Sequence, residues 1–317
     1  MKDLLSINQL EKDEIWTLMK QANRYASNLM PDTLPLRGTW MSTLFYEPST
    51  RTRCSFEVAA RRLGAELLPF DVQHSSVLKG ESLYDTLRTL EALGVQAAVV
   101  RQGQDGLLQE VADQLSLHII NAGDGSAEHP SQALLDLYTI WQHFGHVEGL
   151  NILIAGDILH SRVAHSNLLL LQKLGANVMV SGPTPFVTPI STTIPQLNSV
   201  PIVDFDEYLE KVDVVMMLRI QNERHQDLLG LEQEEYHQCY GLTRARYARL
   251  QENAILMHPG PINRGVELDT ILVEAEKSKI FTQMENGVFV RMAILEYLLT
   301  GGVSHVHLAK TSKPASA

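Results

Sequence analysis

The chain has 317 residues, of which 44% are hydrophobic, and its formal net charge is −11. This length is too great for one ordinary hydrophobic core, and it favours two α/β domains of about 150 residues each. The acidic balance argues against nucleic acid or an anionic membrane surface as a partner, because both attract a basic protein surface.

The sequence contains no run of about eighteen apolar residues, and its N-terminus lacks a basic region followed by an apolar one. We therefore expect neither a membrane span nor a signal peptide, and we expect a cytoplasmic location. The two cysteines, Cys54 and Cys239, form neither a disulfide framework nor a metal-binding spacing, which agrees with a reducing compartment. The twelve histidines are scattered, so we expect no metal site.

The first elements carry the strongest chemical signal of the chain. A helical pattern in residues 1–30 is followed by a predicted strand over 40–45 and a helix that begins near Thr50 and stops at Gly64. Ser49 is a good N-cap for this helix. The helix dipole, unpaired backbone N–H groups, three hydroxyls and two arginines would converge on a space about the size of one phosphate. The alternative is a well-capped helix with two solvated arginines.

Strands and helices then alternate. The predicted segments are a strand over 65–71, a polar loop over 74–81, a helix over 82–93, a strand over 96–101, a helix over 107–115 and a strand over 117–121. This alternation predicts a parallel sheet whose ligand site lies at the carboxyl ends of the strands. Arg101 ends one strand, so we expect it at that edge. Lys79 in the polar loop would by itself be read as a solvated charge.

A loop over 123–132 leads into a helix that has Pro130 in its first turn and ends near Gly145. His129 and Gln132 lie on either side of the helix start. A histidine at this position is often a structural cap. The helix N-terminus would keep the His129 ring neutral.

The α/β alternation restarts after residue 150. It continues with a strand over 151–155, a turn with one glycine, a helix over 163–174, strands over 177–181, 200–203, 212–218 and 254–257, and a final helix over 288–299. One glycine does not make a dinucleotide fingerprint. We expect an α/β fold of two doubly wound domains, each with a central parallel sheet flanked by helices, and an active site in the cleft between them. The domains would be 1–145 and 146–286, with a C-terminal helix of about 287–305 packed back on the first domain and a disordered tail over 310–317.

Four motifs resemble those of the aspartate and ornithine carbamoyltransferases. FYEPSTRTR (45–53) resembles the family's carbamoyl-phosphate signature, and SSVLKGESLYDT (75–86) resembles its mobile loop. HPSQALLDLYTI (129–140) looks like the carbamoyl-recognition motif, and RIQNER (219–224) is similar to the aspartate-binding motif. The matches keep the family's order between Phe45 and Arg264. This chain has HPSQ, HPGP and RIQNER where the ornithine enzymes usually carry HPCQ, HCLP and a serine-methionine-glycine motif, which favours the aspartate branch.

The resemblance implies a role for each matching residue. Carbamoyl phosphate would be bound by Ser49, Thr50, Arg51, Thr52, Ser75, Arg101, His129, Gln132, Gly260 and Pro261. L-Aspartate would be bound by Lys79, Arg162, Arg219 and Gln221. The catalytic group would be Arg51, Thr52, Lys79, Arg101 and His129, with Ser75 and Lys79 supplied by a neighbouring subunit. Neither a metal nor a cofactor is implied.

The implied reaction transfers the carbamoyl group of carbamoyl phosphate to the amine of L-aspartate, giving N-carbamoyl-L-aspartate and phosphate for pyrimidine synthesis. A carbamoyltransferase for another amino acid, such as ornithine, and a non-catalytic scaffold of the same fold remain open. The resemblance also implies a homotrimer with shared active sites, which regulatory chains or a dihydroorotase could join. Glu47 would pair with Arg162 and Arg224 across the cleft when the domains close, or it is simply a turn residue before Pro48.

Overall fold

The structure, a computed structural model, describes residues 1–30, 33–188, 199–220 and 232–302. Within these ranges the strands form two parallel four-stranded sheets flanked by helices, which is the predicted fold class. Gln221, Arg224 and the predicted tail over 310–317 lie outside the described residues.

The first sheet has the strand order β2-β1-β3-β4. Its strands are β1 (Trp40–Phe45), β2 (Glu66–Leu68), β3 (Ala97–Gln102) and β4 (His118–Asp124). The helices of this part are α1 (Lys12–Ala26), α2 (Thr50–Arg62), α3 (Leu83–Ala92), α4 (Leu107–Ala112) and α5 (Pro130–Phe144). Short 3-10 turns occupy Ile7–Gln9, Val72–His74 and Ser76–Lys79.

The second sheet has the strand order β6-β5-β7-β8. Its strands are β5 (Asn151–Ala155), β6 (Asn177–Ser181), β7 (Val214–Met217) and β8 (Ile255–Met257). The helices are α6 (Arg162–Lys173), α7 (Thr184–Val187), α8 (Phe205–Tyr208), α9 (Gln233–Tyr240), α10 (Arg244–Tyr247) and α11 (Ile280–Leu299), with a 3-10 turn at Thr270–Glu274.

Alternate side chains of each strand enter different apolar cores, because successive side chains of a strand point to opposite faces. Val99 packs into a large core that also contains Ile152 of the second sheet, whereas Val100 packs into a separate core on the other face of the first sheet. Leu153 faces a third core on the far side of the second sheet. The shared core joins the two halves through the packing of α5 on α6.

Helix α11 packs against α1, α2 and α5. It begins at Ile280, eight residues before the predicted start at 288. The added turns contain the buried polar residues Gln283 and Asn286. Their burial is possible because the side-chain amide of each donates to side chains of α5. An apolar pattern could not reveal them. In the part of the chain that is described, no helix is both long and apolar enough to cross a membrane.

Two of the predicted strands that are shorter than expected contain a proline. The strand expected over 65–71 ends at Leu68, immediately before Pro69. The segment expected as a strand over 200–203 makes only an isolated bridge between Val180 and Ile202. Proline has no backbone N–H to donate to a sheet, so Pro69 and Pro201 limit these pairings.

Candidate functional site

A cleft of about 1070 Å³ lies between the two sheets, at the carboxyl ends of their strands. Eleven of the predicted site residues line it: Ser49, Thr50, Arg51, Thr52, Arg101, His129, Gln132, Arg162, Arg219, Gly260 and Pro261. They come from six separate segments of the chain. Parallel strands bring their carboxyl ends to one edge of a sheet, which explains why segments so far apart in sequence meet here.

The first turn of α2 forms one wall of the cleft. Ser49 is the N-cap residue, but its hydroxyl makes no capping hydrogen bond, so it does not compete for the backbone N–H groups of the first turn. Arg51 is half-buried, and its pKa is lowered by burial and then by the charge of Arg219. A helix N-terminus flanked by hydroxyls and a guanidinium group is a favourable environment for a phosphate.

Gly260 forms the wall opposite Arg51. Its φ is +65°, in the left-handed region, and a Cβ added there would lie 3.0 Å from the Arg51 Nε. A larger residue would therefore crowd the guanidinium. Pro261 follows through a cis peptide bond and also lines the cleft.

Glu47 joins arginines from both halves of the molecule. Its Oε2 accepts a hydrogen bond from the Nη2 of Arg162 at 2.6 Å and lies 3.3 Å from the Nε of Arg101. The pKa of Arg101 is lowered to about 10 by burial and by Arg162, an effect that Glu47 partly offsets. The pairing of Glu47 with Arg162 is therefore present in this structure, while Arg224 lies outside the described residues.

His129 is buried immediately before Pro130, the first residue of α5. Its pKa is lowered well below the ordinary value of 6.5, chiefly by burial and then by the charges of Arg101 and Arg162. Burial and neighbouring positive charges lower this pKa, whereas the sequence reasoning attributed the neutral ring to the helix N-terminus. A neutral imidazole carries one N–H that can donate to a carbonyl oxygen.

Arg219 follows β7 and faces the cleft with Arg162. Its Nε is buried and has no hydrogen-bond partner among the described residues. A buried guanidinium N–H without a partner favours an acceptor from a ligand, because leaving the group unsatisfied is costly.

Ser75 and Lys79 are not among the residues that line this cleft. The Ser75 hydroxyl starts the short turn Ser76–Lys79 by accepting from the backbone N–H of Val77, and it donates to the carbonyl of Val72. The side chain of the neighbouring Leu78 is apolar but 74% exposed. Within one chain the structure thus does not bring this turn into the cleft.

The sequence reasoning missed several polar residues of the cleft. Asp157, His160 and Ser161 follow β5, and Gln104, Asp105 and Ser126 come from the loops after β3 and β4. Asp157 is buried, and its carboxylate lies 3.0 Å from the Nδ1 of His160. The rule that identified Arg101, namely a polar residue directly after a buried strand, would also have identified Asp157.

Models of one protein family match both halves of the chain. The carbamoyl-P binding domain of aspartate/ornithine carbamoyltransferase matches residues 2–142, and the Asp/Orn binding domain of the same family matches residues 148–298. The chain belongs to the aspartate/ornithine carbamoyltransferase family. The two matches cover both sheets and every segment of the cleft described above.

Relatives within the carbamoyltransferase family cover nearly the whole chain. The aspartate carbamoyltransferase catalytic subunit of Staphylococcus epidermidis is 51% identical over 302 residues, which are 94% of this chain and 100% of that protein. The catalytic subunit of M. jannaschii aspartate transcarbamoylase has 35% identity and a TM-score of 0.82, covering 95% of this chain and 99% of that one. Aspartate transcarbamoylase from Trypanosoma cruzi, in complex with carbamoyl phosphate and aspartate, has 33% identity and a TM-score of 0.78, with coverage of 93% and 96%.

Proposed function

We propose that this chain transfers the carbamoyl group of carbamoyl phosphate to the amine of L-aspartate, giving N-carbamoyl-L-aspartate and phosphate. The observation that carries the proposal is the arrangement of one cleft, where a phosphate-suited helix start and a neutral histidine face two further arginines. The relatives' names and the ligands of the Trypanosoma cruzi structure support the same reaction. The product would enter pyrimidine synthesis.

The residues divide the work by position. Ser49, Thr50, Arg51 and Thr52 would hold the phosphate, and Gln132 would bind the carbamoyl amide. Thr52, Arg101 and His129 would donate to the carbonyl oxygen, whose negative charge grows as the amine attacks the carbonyl carbon. The carbon–phosphate-oxygen bond then breaks, and the departing phosphate can accept the proton of the amine. Positioning and charge neutralisation are the protein's contribution.

The acceptor amine would come from the side of Arg162 and Arg219. Two arginines can bind the two carboxylates of aspartate, each in a forked geometry, and they would repel the side-chain ammonium of ornithine. The carbonyl groups of the segment at Gly260 and Pro261 can accept from the attacking amine. Gln221, which lies outside the described residues, would complete this half of the site.

We extend the proposal to the organisation of the chain. Residues 1–145 would form the carbamoyl-phosphate domain and residues 146–286 the aspartate domain, with the helix that follows packed back on the first. The protein would act in the cytoplasm as a homotrimer in which Ser75 and Lys79 of one subunit enter the cleft of its neighbour. The exposed Leu78 between them suits burial at such a contact. Regulatory chains or a dihydroorotase could bind the trimer.

The test is a product assay on the purified chain with carbamoyl phosphate and either L-aspartate or L-ornithine. We expect carbamoyl-aspartate and an equal amount of phosphate, with little citrulline. Citrulline as the main product would show that the acceptor is L-ornithine and not L-aspartate. Phosphate release that does not depend on either amino acid would argue against transfer altogether.

A further inference from the structure

One buried carboxylate lies directly behind the cleft and is not part of its lining. Asp136 is on α5, one turn after Gln132, and is fully buried. Its Oδ1 accepts hydrogen bonds from the Nε2 of Gln132 at 3.0 Å and the Nε2 of Gln283 at 2.8 Å, and its Oδ2 accepts from the Nδ2 of Asn167 at 2.9 Å. Three amide groups from three helices therefore point their NH₂ ends at one carboxylate.

This contact determines which end of the Gln132 side chain faces the cleft. An ionised carboxylate can only accept hydrogen bonds, so the Gln132 amide must present its NH₂ group to Asp136 and keep its Oε1 on the other side. Burial raises the pKa of Asp136 to about 6, against the lowering effect of the hydrogen bonds from Asn167, Gln283 and Gln132. The group is therefore ionised at pH 8, where the contact is at full strength.

An oxygen that faces the carbamoyl subsite distinguishes between acyl phosphates. The carbamoyl group carries an NH₂ that can donate to this oxygen, whereas the acetyl group of acetyl phosphate has a methyl group of similar size that cannot. A site built to satisfy a polar group of the substrate rejects the analogue that lacks it, because the protein group is then left without a partner.

We propose that Asp136 is a positioning residue that gives the site its preference for carbamoyl over other acyl groups, by holding the Gln132 amide with its oxygen toward the substrate. This inference rests on the proposed function, because it assumes carbamoyl phosphate as the ligand. Asp136 itself does not touch the substrate. In this role it acts by selecting one of the two amide orientations of Gln132.

Asp136 also contacts Gln283, and the effect of this contact must be distinguished from that of the contact with Gln132. Gln283 accepts a hydrogen bond from the backbone N–H of His258 at 2.9 Å, and the Nδ1 of His258 accepts from the N–H of Gly260 at 2.8 Å. Asp136 is thus also linked to the loop opposite Arg51. A loss of this link would displace the loop and weaken every phosphate ligand, while a loss of the Gln132 contact would weaken only ligands with a carbamoyl group.

The experiment measures the dissociation constants of carbamoyl phosphate, acetyl phosphate and inorganic phosphate at pH 8 by titration calorimetry. Gln132→Leu removes the side-chain oxygen of Gln132, so the loss of preference for carbamoyl over acetyl phosphate in this variant gives the full size of the effect. We expect Asp136→Ala to weaken the binding of carbamoyl phosphate by about tenfold. This is the effect expected if the competent orientation of Gln132 falls to about a tenth of the population. The dissociation constants of acetyl phosphate and inorganic phosphate should change by less than about twofold. Asp136→Asn keeps an acceptor and should fall between the wild type and Asp136→Ala.

Two control variants make the result specific. Glu296 is another buried carboxylate, which accepts from Gln21 and Tyr25 away from the cleft, and Glu296→Gln should keep the ratio of the carbamoyl and acetyl phosphate constants. Gln283→Met removes the link to the loop but leaves Gln132 on Asp136, so it should also keep the ratio.

Three results would overturn the inference. They are an unchanged ratio in folded Asp136→Ala, an equal weakening of all three ligands in the Asp136 variants, and a loss of the ratio in Gln283→Met as large as that in Asp136→Ala. Each would leave the proposed function intact if the wild-type chain still carbamoylates aspartate. A wild-type chain that does not bind carbamoyl phosphate would instead remove the proposed function and this inference together.

Discussion

Arg51 and Arg53 are two residues apart on α2, yet their surroundings differ. Arg51 is half-buried in the cleft, near Gly260 and within the influence of Arg219. Arg53 is largely exposed, and its Nε pairs with Glu57 at 2.9 Å, one helical turn away. The sequence Ser-Thr-Arg-Thr-Arg shows two equivalent guanidinium groups, and only the helix phase assigns one to the cleft and the other to solvent.

We expect Arg51→Ala to abolish turnover without unfolding the chain. A forked guanidinium–phosphate contact contributes about 3 kcal/mol or more, so kcat/KM should fall by at least about a hundredfold. Arg53→Ala is the matched control and should retain most activity, because an exposed i,i+4 pair is worth about 0.5 kcal/mol. Steady-state kinetics and thermal melting provide the comparison. Normal activity in a folded Arg51→Ala protein would remove the phosphate assignment.

His129 provides a test by pH. Because its pKa is lowered well below 6.5, the ring should stay neutral as the pH falls from 8 to 6.5, where an ordinary histidine becomes half protonated. The ring resonance of His129, assigned by its loss in His129→Gln, should therefore not shift over this range in an NMR titration. A midpoint near 6.5 for His129 would show that burial and the two arginines do not lower its pKa.

The elements of the chain show which features a sequence can reveal. The strand over 40–45 and the helix starts at Thr50 and Pro130 follow from capping residues and apolar runs, and they agree with the structure. The start of α11 could not be found in this way. Gln283 and Asn286 can be buried only because they donate hydrogen bonds to side chains of α5, which lie 144 or 147 residues away in sequence. For the same reason the contacts of Asp136 were invisible, since the sequence showed only an acidic residue in an apolar helix.

The loop between β1 and α2 contains the next test. Glu47 bridges this loop to Arg162 at the start of α6, so the contact joins an element of the first sheet to one of the second. Such an ion pair shifts the equilibrium between open and closed arrangements only by the difference in its energy between them. Under the proposed assignment, closure would matter most for aspartate, which would depend on Arg162 and Arg219 being brought to it, whereas carbamoyl phosphate would bind mainly to the first domain.

Glu47→Ala should therefore lower kcat and weaken the use of aspartate by about tenfold or more, while the affinity for carbamoyl phosphate stays within about twofold. Glu47→Gln keeps the shape of the side chain and controls for packing in the loop. The readouts are kcat, the KM for aspartate and the dissociation constant of carbamoyl phosphate. The opposite pattern, tenfold weaker carbamoyl phosphate with a normal response to aspartate, would show that Glu47 shapes the phosphate loop through Arg101 and does not act across the cleft.

At the scale of the whole molecule, the turn at Ser76–Lys79 lies outside the lining of the cleft. Four arginines of the described residues line the cleft, whereas Ser75, Leu78 and Lys79 do not. If the turn completes a neighbour's cleft, each site draws residues from two chains, and an isolated subunit should be inactive. This arrangement is a property of the assembly, so neither the sequence pattern nor the packing of one chain can demonstrate it.

Mixing two inactive variants tests the shared site directly. Lys79→Ala chains and Arg51→Ala chains should each be inactive alone, because every site in either homotrimer lacks one residue. In a ring of three, any mixed trimer contains one site whose Arg51 and Lys79 both come from unmutated positions in two different chains. Random reassembly of an equal mixture makes about three quarters of the trimers mixed, so about one quarter of the wild-type activity should return. Native mass spectrometry measures the fraction of mixed trimers in the same sample. Mixed trimers without activity would place Lys79 in its own subunit's site or outside any site.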